Sequence, residues 1–221
     1  MSAARNQILA AVRKAKPARA SATIGRQALL PPKFVREARD LVALFAEKLA
    51  NVSTSVAMLD HASEIPLHLA QWLGEHGLRD KPLLLAEEPS LRALDWSTAR
   101  LDARAGAPDV PAPATIVSGA FAGVAETGSI AMVTNGASRP SHNILADSHI
   151  VVLSRSQIAA SIEDVWRAAS ERGLPRSLAF ITGASRTADI EMTMELGVHG
   201  AVRMHVVLIN DEISSVPRFS R

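Results

Sequence analysis

The chain has 221 residues, 48% of them hydrophobic and 4% aromatic, with no cysteine and a formal net charge of +2. That length suits one α/β domain with a small appendage and is ample for a buried core. The missing cysteines exclude disulfides, a cysteine nucleophile, thiolate zinc sites and a thiolate-held iron–sulfur cluster in this chain, though not in its partners.

Charge is unevenly placed. Residues 1–36 carry eight Lys or Arg and no acid, whereas the remaining 185 hold 16 basic and 22 acidic side chains, a balance of −6. A transit peptide would also be Arg-rich and acid-free. A nucleic-acid-binding arm would interleave aromatics, and this one has only Phe34. The favoured reading is a docking helix, since Ile8, Ala11, Val12 and Ala15 form one apolar stripe beside Arg5, Arg13 and Lys14. No nucleic-acid partner is expected. No apolar run approaches the roughly 20 residues that span a bilayer. The patch from Ile8 to Val12 is shorter than a secretory core of about 7–15 residues, so a cytoplasmic location is expected.

In chain order, a helix is predicted over residues 2–15, followed by a Pro-, Gly- and Ser-containing linker to residue 33. An amphipathic helix over 34–50 places Val35, Ala38, Leu41, Val42, Phe45 and Leu49 on one face. A strand is predicted at 55–59, then a helix over 65–76 with Pro66 in its first turn and Gly77 closing it. Residues 82–86 read as a buried strand, 93–101 as either a short helix or a strand, and 105–113 as loop. Strands at 115–118, 130–134 and 149–153 follow, with a turn at 123–129 and room for a short helix at 141–146. A helix over 161–172 starts at Ser161, with Asp164 at capping-box spacing. The apolar run 178–181 should be a strand, leading through a small-residue loop into a short helix that Gly197 ends. In that helix Ile190 and Met194 would share a face. Met204, Val206 and Leu208 alternate with Val207 and Ile209, so both faces of the last strand are apolar. Such a strand is internal and usually parallel. The pattern divides the chain into a helix and linker, 1–33, and an α/β domain, 34–221, with a mostly parallel sheet sandwiched by helices.

Two glycine-bearing segments could carry chemistry. In GVAETGS, residues 123–129, the carboxylate of Glu126 stands between Gly123 and Gly128 beside the hydroxyls of Thr127 and Ser129. It could act as base, nucleophile or ligand clamp, or be an exposed acid in a tight turn. Residues 183–191, GASRTADIE, offer Gly183, Ser185, Arg186 and Thr187 at the expected helix start, a donor set that suits a carboxylate or phosphate. Asp189 and Glu191 in the same turn would oppose an anion unless Arg186 offsets them, or they would themselves hold a ligand. Simple capping by Ser185 or Thr187 is the plainer alternative. No Walker lysine is present, so a nucleotide P-loop is not supported. His199, between Gly197 and Gly200, could shuttle protons, while His205 reads as a satisfied core residue. The seven histidines are scattered without paired metal-ligand spacing, so no metal site is expected.

The runs GVAETGSI (123–130), HIVVL (149–153), ITGASRTADIE (181–191), LGVHG (196–200) and HVVLI (205–209) resemble the LUD-domain proteins, in particular the lactate utilization (LutC/YkgG) family. The resemblance implies a fold related to the sugar-phosphate isomerase and CoA-transferase (NagB/RpiA-like) group, with an N-terminal helical arm. It implies a cluster-free component of a cytoplasmic system that oxidises L-lactate to pyruvate, the iron–sulfur clusters lying in partner proteins. Iron–sulfur subunits, a small carboxylate ligand and further copies of the chain are the partners it suggests. Its motif points to Glu126, Thr127, Gly128, Ser185, Arg186, Thr187, Asp189, Glu191, His199 and Gly200 as site residues. Two alternatives remain: a self-standing isomerase or CoA-transferase-like enzyme using Glu126, and a small-anion sensor. An independent oxidoreductase is disfavoured, because no GxGxxG with a following ribose-binding acid is present.

Overall fold

The structure is a computed structural model describing residues 3–15, 35, 40–106, 114–134, 144–173, 175–188, 194–196, 200–210 and 217–219. The chain divides into two compact units, Met1–Leu30 and Pro31–Arg221. The first contains helix α1, Ala3–Ala15, on which Ile8 and Leu9 are exposed.

In the second unit the helix expected over 34–50 is interrupted. Val35 is helical and buried, but Asp40 is extended, at φ −136° and ψ 109°, and caps a new helix, α2, Leu41–Asn51. The Asp40 carboxylate accepts from the amides of Val42 and Ala43 at 2.8 and 3.1 Å. An aspartate that can bond the next turn's free amides favours starting a helix over continuing one. Strand β1, Thr54–Leu59, follows, then α3, Ile65–Glu75, with Pro66 in its first turn and Gly77 at φ +67° beyond its end.

Strand β2, Leu83–Leu85, leads into a single helical turn, α4, Pro89–Arg92. Residues 93–101 form neither a helix nor a strand. Asp95 accepts from Ser97 and Thr98, and Trp96 donates to the Leu91 carbonyl at 2.9 Å. Strand β3, Ala103–Ala105, begins just before the expected loop, whose residues 107–113 lie outside the described chain.

The remaining elements are β4, Thr115–Gly119, β5, Ala122–Val124, β6, Ser129–Val133, β7, Ser148–Ser154, and β8, Ile158–Ala159. Helix α5, Ile162–Glu171, then β9, Leu178–Ile181, β10, Arg186–Ala188, β11, Met194–Leu196, and β12, Arg203–Ile209, complete them. Ser161 caps α5 as its spacing predicts, accepting from the Asp164 amide at 3.3 Å. Half of the segment offered for a short helix at 141–146, residues 141–143, falls outside the described residues.

Six strands form a parallel sheet in the order β1-β12-β7-β4-β2-β3. Strand β12 lies inside it, Val206 pairing with Val56 on one side and Val151 on the other. Its two apolar faces are both covered. Met204, Val206 and Leu208 pack with Val151, Leu153, Phe45, Leu49, Ile130 and Met132. Val207 and Ile209 pack with Val117, Ile150, Val152 and the α3 residues Ile65, Leu69 and Leu73.

Two further features depart from the sequence expectation. Strand β9 does not join the parallel sheet. It pairs antiparallel with β6 in a second sheet, β8-β5-β6-β9, whose outer face (Ala122, Val124, Ala131, Ala159) packs on Val165 of α5. Where a helix is expected after residue 185, the described residues form an antiparallel ladder pairing Arg186 with Leu196 and Ala188 with Met194. One i,i+4 apolar pair contributes only a few tenths of a kcal/mol to a helix too short to stand alone, whereas the ladder satisfies the same backbone groups. Residues 189–193 and Gly197 lie outside the described chain.

Candidate functional site

Three glycines crowd against α2 and its C-terminal cap. A Cβ on Gly123 would lie 2.7 Å from both the Phe45 ring and Ile158 Cδ1, and one on Gly128 would lie 2.8 Å from the Lys48 backbone. A Cβ on Gly183 would lie 2.5 Å from the Val52 carbonyl oxygen. Gly128 and Gly183 also adopt φ of +71° and +83°, which L side chains rarely take. Local sequence therefore brings the β5–β6 turn and the loop after β9 onto successive turns of one helix.

The two loops meet through hydroxyls. Ser129 Oγ lies 2.6 Å from Thr127 Oγ1 and 2.6 Å from Thr182 Oγ1. The Ser185 amide donates to the Ala201 carbonyl at 2.8 Å, which brings Gly200 and Ala201 alongside. The guanidinium of Arg186 is exposed and donates to Ser53 Oγ. The Glu126 amide donates to the Ala160 carbonyl at 3.1 Å, and its carboxylate Oε2 is buried with no hydrogen-bond partner. Of the residues selected from sequence, Thr127, Gly128, Ser129, Gly183, Ser185, Arg186 and Gly200 thus gather near the C-terminal end of α2, with Glu126 on the same turn. Thr187 lies in β10, but its side chain is outside the description, as are Asp189, Glu191 and His199 altogether.

The position of this cluster corrects one expectation. Ser53 immediately precedes β1 and Ala201 lies just before β12, so the cluster sits at the amino-terminal edge of the parallel sheet. The loop after β9 does not leave a parallel strand at its carboxyl end, and among the described residues it is followed by strand β10 and not by a helix N-terminus. The cluster therefore gains nothing from a parallel strand's carboxyl end or from a helix N-terminus among the described residues. What the geometry offers is a rim of hydroxyls, an exposed guanidinium and a half-buried carboxylate, and the first two can engage a small carboxylate by hydrogen bonding.

The opposite, carboxyl-terminal edge carries groups that sequence reasoning missed. Ala86 extends the β2–β4 ladder by donating to the Val117 carbonyl at 2.9 Å, which turns Glu88 toward Gly119. A Cβ on Gly119 would lie 3.7 Å from Glu88 Oε1, while Glu88 Oε2 is buried without a partner. Burial pushes the Glu88 carboxyl above the usual range, against hydrogen bonding from the amides of Glu88 and Gly119, which lowers it. Gln157 holds the neighbouring strand ends, donating to the Ala120 and Phe121 carbonyls at 2.8 and 3.2 Å and accepting from the Ser154 amide at 2.7 Å. The only sequence signal for Glu88 was its place just past a buried strand.

His205 is a core residue, as its place inside the last strand suggests, but it belongs to a polar cluster. Its Nδ1 lies 2.8 Å from Ser55 Oγ and its Nε2 lies 2.9 Å from His68 Nε2, while its ring stacks on Trp72 at 5.0 Å. Desolvation, reinforced by His68, lowers its pKa to about 4. On the other face of the sheet His149 Nε2 meets Ser118 Oγ at 2.8 Å. Among the described residues no group of three or more His, Cys, Asp or Glu is placed to hold a metal ion. No helix among them is long and apolar enough to cross a membrane.

A family model described as LUD domain matches residues 37–209. The chain is 31% identical over 93 residues to a protein named lactate utilization protein C from Halalkalibacterium halodurans, covering 40% of each. A protein of the same name from Exiguobacterium sp. is 37% identical over 102 residues, covering 44% of this chain and 43% of its own length. One from Deinococcus radiodurans is 30% identical over 96 residues, covering 42% and 45%. The matches thus span about two-fifths of these relatives. Among solved structures, the crystal structure of a DUF162 family protein from Deinococcus radiodurans matches with a TM-score of 0.57 at 19% identity, covering 76% of this chain and 96% of that one. At that identity the likeness is one of fold.

Proposed function

The chain belongs to the LUD domain family, and from that premise we propose that it serves lactate utilization in the cytoplasm as a cluster-free subunit supporting the oxidation of L-lactate to pyruvate. The observation that carries this reading is that relatives 30–37% identical over about two-fifths of their length share the name lactate utilization protein C. Conversion of lactate to pyruvate removes two electrons and two protons, one proton from the hydroxyl-bearing carbon and one from its hydroxyl. This chain has no cysteine with which to hold a cluster, so the electrons pass to iron–sulfur partner proteins, and this subunit binds substrate or organises the assembly. The test is growth on L-lactate as sole carbon source after deletion of the coding sequence, with complementation by the full chain. Lost growth restored by complementation supports the role, and undiminished growth overturns it. Purified alone, the chain should show no cluster or flavin absorbance and no lactate oxidation with an artificial acceptor.

One observation favours a second reading, a CoA-transferase-like enzyme. Glu126 Oε2 is buried and unpartnered in a turn rich in hydroxyls, as suits a carboxylate kept for chemistry. Its attack on an acyl-CoA would form an acyl–glutamyl anhydride and release the CoA thiolate. A mass increase on the peptide containing Glu126 after incubation with acyl-CoA is the signature, and an unchanged mass removes this reading.

A further inference from the structure

The parallel sheet has a topological switch away from the glycine cluster. Within this sheet β2 is followed by β3 on one side, and β4 is followed, by way of β5 and β6 of the second sheet, by β7 on the other, so strand order reverses between β2 and β4. Connections that diverge from adjacent strands leave a crevice outside their carboxyl ends, where open α/β sheets bind ligands.

Two groups with unmet hydrogen-bonding capacity flank the end of β4. From β2 comes Glu88, its side chain lying on Gly119 and its Oε2 buried without a partner. From β7 comes Arg155, one residue past Ser154, with its Nε buried and likewise without a partner. Strand β4 pairs with both, Val117 with Leu85 and Gly119 with Val152. Glu88, Gly119, Ala120 and Arg155 are each half-buried, so solvent reaches this strand end. Gln157 fixes its floor by tying the β7 end to the carbonyls of Ala120 and Phe121. An orphaned buried polar atom has lost its hydration without replacement, so two beside one strand end call for a ligand that supplies their partners. A guanidinium N–H takes a carboxylate oxygen. A carboxyl whose ionisation is opposed by burial takes a hydroxyl or a carbonyl, and tolerates a neighbouring anion better than an exposed carboxylate would.

We propose that this crevice binds a small 2-hydroxy- or 2-oxocarboxylate, with Arg155 holding the ligand's carboxylate and Glu88 meeting the adjacent hydroxyl or keto oxygen. The lactate reading suggests the probes, but the site stands on its own chemistry.

The experiment is calorimetric titration of the full chain with L-lactate, pyruvate and acetate, acetate lacking the second oxygen. Wild type should bind lactate or pyruvate at least tenfold more tightly than acetate. Arg155→Gln should lose at least tenfold for all three, whereas Glu88→Gln should lose at least tenfold for lactate or pyruvate only. Amide chemical shifts of the unmutated chain give a second readout that does not depend on variants folding. Titrated lactate or pyruvate should move the Ala86, Gly119 and Ala120 resonances. No binding by wild type, unchanged affinity in both variants, or shifts confined to residues 127–129 and 182–186 would overturn the proposal. Growth on lactate is scored separately, so a crevice that fails these tests leaves the family role standing, and a dispensable protein leaves the crevice standing.

Discussion

Gly183 lies so close to Val52 that a Cβ on it would come within 2.5 Å of the Val52 carbonyl oxygen and 2.7 Å of the Val52 Cβ. The contact joins the loop after β9 to the cap of α2, and with φ at +83° it makes glycine the only residue that fits. Gly183→Ala should therefore cost roughly 3 kcal/mol, from the left-handed backbone and the backbone clash together. Gly77 is the control, since it has φ +67° but open space around its Cα. Gly77→Ala should cost only about 1–2 kcal/mol. Denaturant unfolding of the two variants checks the difference, and equal losses would mean that the Val52 contact relaxes freely.

Arg186 separates a ligand-binding role from a structural one. Its guanidinium is exposed and donates to Ser53 Oγ, an anchor that lysine can reproduce. If the residue captures a carboxylate with its fork, Arg186→Lys should support growth on lactate almost as poorly as Arg186→Ala, with both melting temperatures near wild type. Full activity of the lysine variant, or a large drop in melting temperature for the alanine variant, assigns Arg186 to the scaffold.

The His205 cluster makes stability depend on pH. Burial and His68 hold the His205 pKa near 4 in the folded chain, against about 6.5 when unfolded. Between those values the unfolded chain binds the extra proton, so stability rises with pH across this window and is lost as pH falls from about 6.5 toward 4. The contribution at neutral pH is on the order of 3 kcal/mol. His205→Gln should flatten that part of the stability profile measured by urea unfolding. An unchanged slope would show that another group drives it.

The basic arm should act as a contact element. Helix α1 belongs to a compact unit separate from the one that holds the sheets, and its charge opposes the −6 of the chain beyond residue 36. Deletion of residues 1–25 should leave cooperative unfolding intact while weakening association with partners or with other copies, and the association should fall with added salt. Loss of cooperative unfolding in the truncated chain would place the arm in the core.

How much was legible in the sequence depended on whether a signal was local. The chain by itself determined the place of β12, because a strand apolar on both faces must be covered on both. It determined the start of α5, because Ser161 and Asp164 complete the cap within one turn. It also selected Gly128 and Gly183, whose positive φ and close approach to α2 only glycine permits. Tertiary structure alone decided the sheet that β9 joins, since Leu178–Ile181 would read the same in either. It decided that residues 186–188 pair antiparallel with 194–196, because an i,i+4 pair is too weak to resist cross-strand pairing. Tertiary structure also decided which edge of the sheet each cluster occupies. The glycine loops lie at the amino-terminal edge and Glu88 at the carboxyl-terminal one, because strand order and chain direction arise from pairings far apart in sequence, as between β1 and β12.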